Sequence, residues 1–134
     1  MNINNYVLGQ SEKISKSFSQ KEVNEFAELS LDFNPMHLSK EYAEASYFKN
    51  IIVHGFLYSS LISAVIGTKL PGPGAIYLHQ ELNFKAPVFA DELVTAIVTI
   101  TDLNIEKSVL HLETVCLKKA HEIVVLGKAI IKIF

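Results

Sequence analysis

The sequence predicts an α+β fold with a largely antiparallel sheet. Three observations lead there: helical patterns gather in the first half of the chain, strand-like runs gather in the second, and one helix is apolar nearly all round. Ser19-Gln20-Lys21-Glu22 forms a capping box, flanked by Phe18 and Val23 as a hydrophobic staple. It opens a helix over 20–30 that buries Val23, Phe26 and Ala27 along one stripe. Ser39 caps a short helix over 41–45. Residues 55–66 read as a helix wrapped by other structure instead of lying at the surface. Gly67 ends that helix, and Leu70-Pro71-Gly72-Pro73-Gly74 marks a loop. Runs rich in Val, Ile, Leu and Thr come next, at 75–84, 92–103, 108–117 and 123–134. The breaks between them are Ala86-Pro87, 102–107 and 118–122. One apolar helix and one long sheet imply that the sheet curls around the helix.

The chain has 134 residues, enough for one real core and not two, so residues 1–134 are expected to form a single domain. Apolar residues make up 49% of it, which places it among globular proteins and not disordered ones. A net charge of −2 gives no electrostatic case for nucleic acid. All 12 basic residues are lysine, so a phosphate-bearing ligand is met by ammonium groups or backbone N–H groups, not by guanidinium forks. The single cysteine, Cys116, rules out an internal disulfide and reads as a core or sheet residue. The first ten residues lack the charged-then-apolar design of a secretory signal. The apolar stretch 51–66 is interrupted by His54, Ser59, Ser60 and Ser63 and is shorter than the roughly 20 residues of a membrane span. A cytoplasmic protein with no membrane association is the expectation.

Asp32-Phe33-Asn34-Pro35-Met36-His37 is the most informative stretch. It sets a carboxylate and an imidazole five residues apart around a proline, which pushes Asn34 toward extended geometry. Asp32 and His37 are therefore expected on a shaped loop, not on one helix face. Their ordinary pKa values, about 3.9 and 6.5, suit an ionised base and a titratable partner near neutral pH. Between them they can hold one water, one group orienting it while the other moves its proton. A metal site is the weaker reading, because His54, His79, His111 and His121 show no ligand spacing; no metal is expected. The second signal is the helix start at His54-Gly55. Unpaired N–H groups there carry partial positive charge suited to an oxyanion, and Gly55 has no side chain to block a carbonyl. Gly55 also has a plainer reading, tight packing of the helix. Ser60 has one as well, a bond to the backbone one turn back. Together the two signals suit chemistry on an acyl thioester.

Residues 26–37 resemble the signature of the MaoC-like (R)-specific enoyl-CoA hydratases, through the Asp32-x-Asn34-Pro35-x-His37 core. His54-Gly55-Phe56-Leu57, the segment 70–77, Leu82 to Phe89 and Asp91-Glu92 are similar to that family's later segments. The resemblance runs from about Ser17 to the end of the chain. It implies a hot-dog fold, an antiparallel sheet around a long central helix, and usually a homodimer with its sites near the interface. The implied reaction is reversible syn addition of water to a trans-2-enoyl-CoA, giving an (R)-3-hydroxyacyl-CoA in fatty acid metabolism, with the CoA thioester as substrate and no cofactor. On that resemblance Asp32 and His37 are the catalytic pair, in roles left open between acid and base. Gly55 supplies the oxyanion N–H, Asn34 belongs to the binding loop, and Ser60 falls where the family hydrogen-bonds near the aspartate. Leu31 stands where the family commonly has glycine; if positive φ is needed there, leucine costs roughly 1–2 kcal/mol. Lys49, Lys69 and Lys85 are candidates for the CoA phosphates. Tyr58, Leu61, Ile62 and Tyr77 are candidates for the acyl pocket. The competing readings are a hot-dog thioesterase, a dehydratase acting on acyl carrier protein, and a non-catalytic acyl-binding or dimerisation module.

Overall fold

The computed structural model describes residues 2–134 and is an α+β single layer of sheet packed on helices. In chain order the elements are β1 (Ser11–Ser17), α1 (Gln20–Ser30), α2 (Pro35–Leu38), α3 (Lys40–Glu44), α4 (Gly55–Thr68), β2 (Ala75–Gln80), β3 (Asn83–Phe84), β4 (Leu93–Asn104), β5 (Val109–Lys118) and β6 (Glu122–Ile133). The strands form one antiparallel sheet in the order β1-β4-β5-β6-β2, with β3 beside β6. Along β4 the buried residues Val94, Ala96, Val98 and Ile100 alternate with more exposed ones, the period of a strand with one face on a core. Leu110, Leu112 and Cys116 of β5 and Ala129, Ile131 and Ile133 of β6 continue that face. Tyr58, Leu61, Ile62, Val65 and Ile66 of α4 fill it from the other side. Leu61 and Ile62 are thus core residues rather than pocket walls.

Helix α1 keeps its predicted bounds because its capping box forms: Ser19 Oγ accepts from the Glu22 N–H while Glu22 accepts from the Ser19 N–H. Other elements depart from expectation. Strand β1 has no counterpart in the sequence pattern, since Ser11 to Ser17 is polar on both faces. It is an edge strand tied to β4 by backbone pairing and by the hydroxyl contacts Ser11–Thr99 at 3.1 Å and Ser15–Thr95 at 2.7 Å. The run 75–84 is two strands, because the chain steps across Gly127 of β6: a Cβ there would lie 1.7 Å from the Glu81 carbonyl oxygen. Gly67 does not end α4, which continues to Thr68. Nor is α4 covered all round, since Phe56, Ser60, Ser63 and Gly67 form an exposed stripe.

Candidate active site

Leu31 closes α1 in the left-handed region, at φ 67 and ψ 15, so the position does require positive φ. The turn throws Asp32 out of the helix, and three short-range bonds shape the segment after it. The Asp32 N–H donates to Ser30 Oγ at 3.2 Å, the Asn34 N–H to Asp32 Oδ1 at 3.2 Å, and the Met36 N–H to Asn34 Oδ1 at 3.1 Å. Asn34 therefore caps α2, with Pro35 at the first helical position, where its missing N–H costs nothing. This corrects the expectation of a loop through to His37: Asp32 precedes the helical turn and His37 lies within it. The Asp32 side chain remains about half exposed.

His37 is buried, and its Nδ1 lies 2.7 Å from the Ile52 carbonyl. A carbonyl only accepts, so Nδ1 carries the proton and Nε2 keeps a free lone pair. Gln20 Nε2 donates to the His37 carbonyl at 2.9 Å and fixes the backbone from α1.

His54 is the residue that sequence reasoning left out of the site. Its ring stacks on His37 with centroids 3.8 Å apart and an interplanar angle of 25°. Its Nε2–H donates to the Asp32 carbonyl at 3.1 Å. Burial lowers its pKa, and the neighbouring His37 lowers it further, against the opposing pull of the Asp32 carbonyl and carboxylate. One donor atom each from Asp32, His37 and His54 lies within 4.8 Å of the others, although no sequence spacing linked His54 to the pair. His54 Nε2, 4.0 Å from Asp32 Oδ2, directs its hydrogen at a carbonyl, which leaves the ring's lone pair on Nδ1. The available signal was the helix start itself, where a histidine stands in place of the usual Ser, Thr, Asp or Asn cap.

Gly55 begins α4, and neither its N–H nor that of Phe56 has a partner among the described residues. Packing alone also asks for glycine there, since a Cβ would come 2.4 Å from the Phe84 ring. The geometry is compatible with both readings of Gly55. A cavity of about 410 Å³ opens beside it, its lining including His37, Phe48, Phe56, Tyr58, Phe84 and Lys85. Burial pushes the Tyr58 hydroxyl up to about 12, so it stays protonated at neutral pH.

Several candidates lie elsewhere. Ser60 Oγ donates to the Leu57 carbonyl at 2.5 Å, and with Ser63 and Tyr77 it lines a different depression. Lys69 Nζ donates to the Lys13 carbonyl at 3.0 Å. Cys116 is buried in the sheet with its thiol pushed up to about 12, as expected of a core residue.

The family described as "MaoC like domain" matches residues 6–121. The chain belongs to the MaoC-like family. Among curated relatives, this MaoC-like chain is 46% identical over 125 residues to an (R)-specific enoyl-CoA hydratase of Rhodospirillum rubrum, covering 93% of the chain and 86% of the relative. It is 44% identical to the (R)-specific enoyl-CoA hydratase of Aeromonas caviae, covering 94% of each. The solved structure of an (R)-hydratase from A. caviae superposes with a TM-score of 0.93 at 43% identity, covering 96% of this chain and 98% of that one. The MaoC-like chain therefore has the hot-dog fold, with α4 as its central helix. Among the described residues, no helix is long and apolar enough to cross a membrane.

Proposed function

We propose that this chain is an (R)-specific enoyl-CoA hydratase that adds water reversibly to a trans-2-enoyl-CoA. One observation carries the reading: His37 lines an apolar cavity together with Gly55, whose N–H is open, and a carboxylate oxygen of Asp32, itself outside the cavity lining, lies within 4.8 Å of a His37 ring nitrogen. A single water bridges such a gap at ordinary hydrogen-bond lengths of roughly 2.8 Å a side. With the thioester oxygen on the Gly55 N–H, charge that develops as water attacks C3 is stabilised by about 3–4 kcal/mol. The Asp32–His37 pair takes the proton from that water and returns one to C2 on the same face, a syn addition in which attack on a single face of C3 gives the (R)-3-hydroxyacyl-CoA. His37 suits the proton-carrying role through its bare Nε2, and Asn34 serves the reaction by holding Asp32. The CoA thioester is itself the substrate, so no separate cofactor is needed. Lys85 lines the cavity, and on this reading it meets the CoA phosphates.

The same reading includes a homodimer. Edge strand β2 exposes Ile76 and Leu78, Leu78 shares a depression with Phe56, Ser60 and Ser63 of α4, and a second copy laid along β2 would cover this surface. Ser60 then belongs to that covered surface.

Crotonyl-CoA hydration, followed as loss of enoyl-thioester absorbance with product chirality checked, tests the activity. Wild type should form (R)-3-hydroxybutyryl-CoA, and Asp32→Asn should lose about 10²–10⁴-fold in kcat. Release of free CoA with the double bond intact would replace this reading with a thioesterase.

A further inference from the structure

His54 occupies the N-cap position of α4, where Ser, Thr, Asp and Asn are favoured because their side chains accept from the first helical N–H groups. The His54 side chain makes no capping bond. It turns inward beneath the Asp32 loop, where only 1% of it is exposed. Nε2–H donates to the Asp32 carbonyl at 3.1 Å, one face of the ring lies on His37, and the ring also meets Phe26 edge-on at 4.9 Å. Among the described residues, no other hydrogen bond joins the segment 31–34 to the start of α4. Nδ1 is left buried with no partner among the described residues. A cap position that does not cap, with an unsatisfied nitrogen behind it, breaks two local rules at once. Native proteins tolerate such breaches mainly where function requires them.

We infer that His54 is a positioning residue, which holds the Asp32 carboxylate and the His37 imidazole in fixed relation to the Gly55 N–H. One ring touches all three parts of the site: it is bonded to the backbone of Asp32, stacked on His37, and attached to the residue that precedes Gly55. His54 does not touch the reacting atoms. Without its bond, no hydrogen bond among the described residues ties the Asp32 loop to the start of α4, and misplacement of an acid/base group by about 1 Å lowers the rate on the order of 10²-fold. The inference rests on the hydratase reading for its kinetic consequence, but not for its structural one.

Two substitutions separate the bond from the packing. His54→Gln keeps an N–H that reaches Asp32 and loses the ring stack, whereas His54→Phe keeps the stack and volume and loses the donor. With both variants folded by circular dichroism, His54→Phe should lower kcat for crotonyl-CoA hydration by about 30–100-fold with KM within about threefold. His54→Gln should recover kcat to within about tenfold of wild type. Amide exchange at Asn34 and Met36, whose N–H groups close the Asp32 loop, should accelerate in His54→Phe and not in His54→Gln. Equal losses in the two variants, or a His54→Phe enzyme within threefold of wild type, would overturn the inference, as would a loss confined to KM. If wild type adds no water, the hydratase reading falls by itself. The exchange comparison then still decides whether His54 holds Asp32: faster exchange in the Phe variant alone supports it, and no difference refutes it.

Discussion

Leu31 holds a backbone conformation that L-residues with bulky side chains avoid, and its own side chain is largely exposed. Leu31→Gly removes a cost of roughly 1–2 kcal/mol, offset in part by the greater freedom of glycine in the unfolded chain, about 0.5–1 kcal/mol. The expected outcome is a melting temperature a few degrees higher with kcat preserved; a lower melting temperature would show that the position is not strained. His54 leads to a second prediction. Its pKa is lowered on folding by burial and by the stacked His37, against the opposing pull of the Asp32 carbonyl and of its carboxylate 4.0 Å away. Between its depressed folded value and the ordinary value near 6.5, the unfolded chain binds more protons, so the contribution of this group is full above that window and declines as pH falls through it. Thermal unfolding at pH 7.5 and 5.5 should show lower stability in acid, and the difference should shrink in His54→Gln. Asp32, Asn34, Pro35, His37 and Gly55 were legible because their chemistry and spacing are local in sequence. His54 was not, since it joins Asp32 and His37 only when α4 docks 22 residues further along the chain.

Among the elements, legibility followed the strength of the local signal. The capping box at Ser19 and the apolar period of α1 set that helix to the residue, and Ser19→Ala is expected to cost about 1 kcal/mol in denaturant unfolding. Strand β1 gave no such signal, because Ser11–Ser17 draws its structure from pairing with β4 rather than from its own pattern. The break between β2 and β3 was equally hidden, being imposed by the passage of Glu81 over Gly127. A methyl group on residue 127 meets the Glu81 backbone, which cannot swing aside as a side chain does. Gly127→Ala should therefore destabilise by about 3 kcal/mol or more, measured against an alanine substitution at the open position Gly67, where a Cβ meets nothing within 4 Å. Similar losses at the two sites would contradict this account.

For the whole molecule, a helix apolar nearly all round was a fair sign of a wrapped centre, and four strands in succession were a fair sign of an antiparallel sheet. What the pattern hid was the exposed stripe of α4 beside the edge of β2, because Phe56 and Gly67 in that stripe read in sequence like core. Light scattering after size-exclusion chromatography should give twice the 14.9 kDa chain mass. Leu78→Lys, a charge on the open edge, should shift that toward a single chain; an unchanged monomer mass in wild type would dismiss the pairing. Cys116 makes such assembly easy to follow. Because this lone thiol is sealed within the sheet and protonated, the native protein is already a silent background for maleimide chemistry. A cysteine placed at Lys21, an exposed residue of α1 outside that stripe, would accept a fluorophore or spin label at one defined point, with no native residue to remove first.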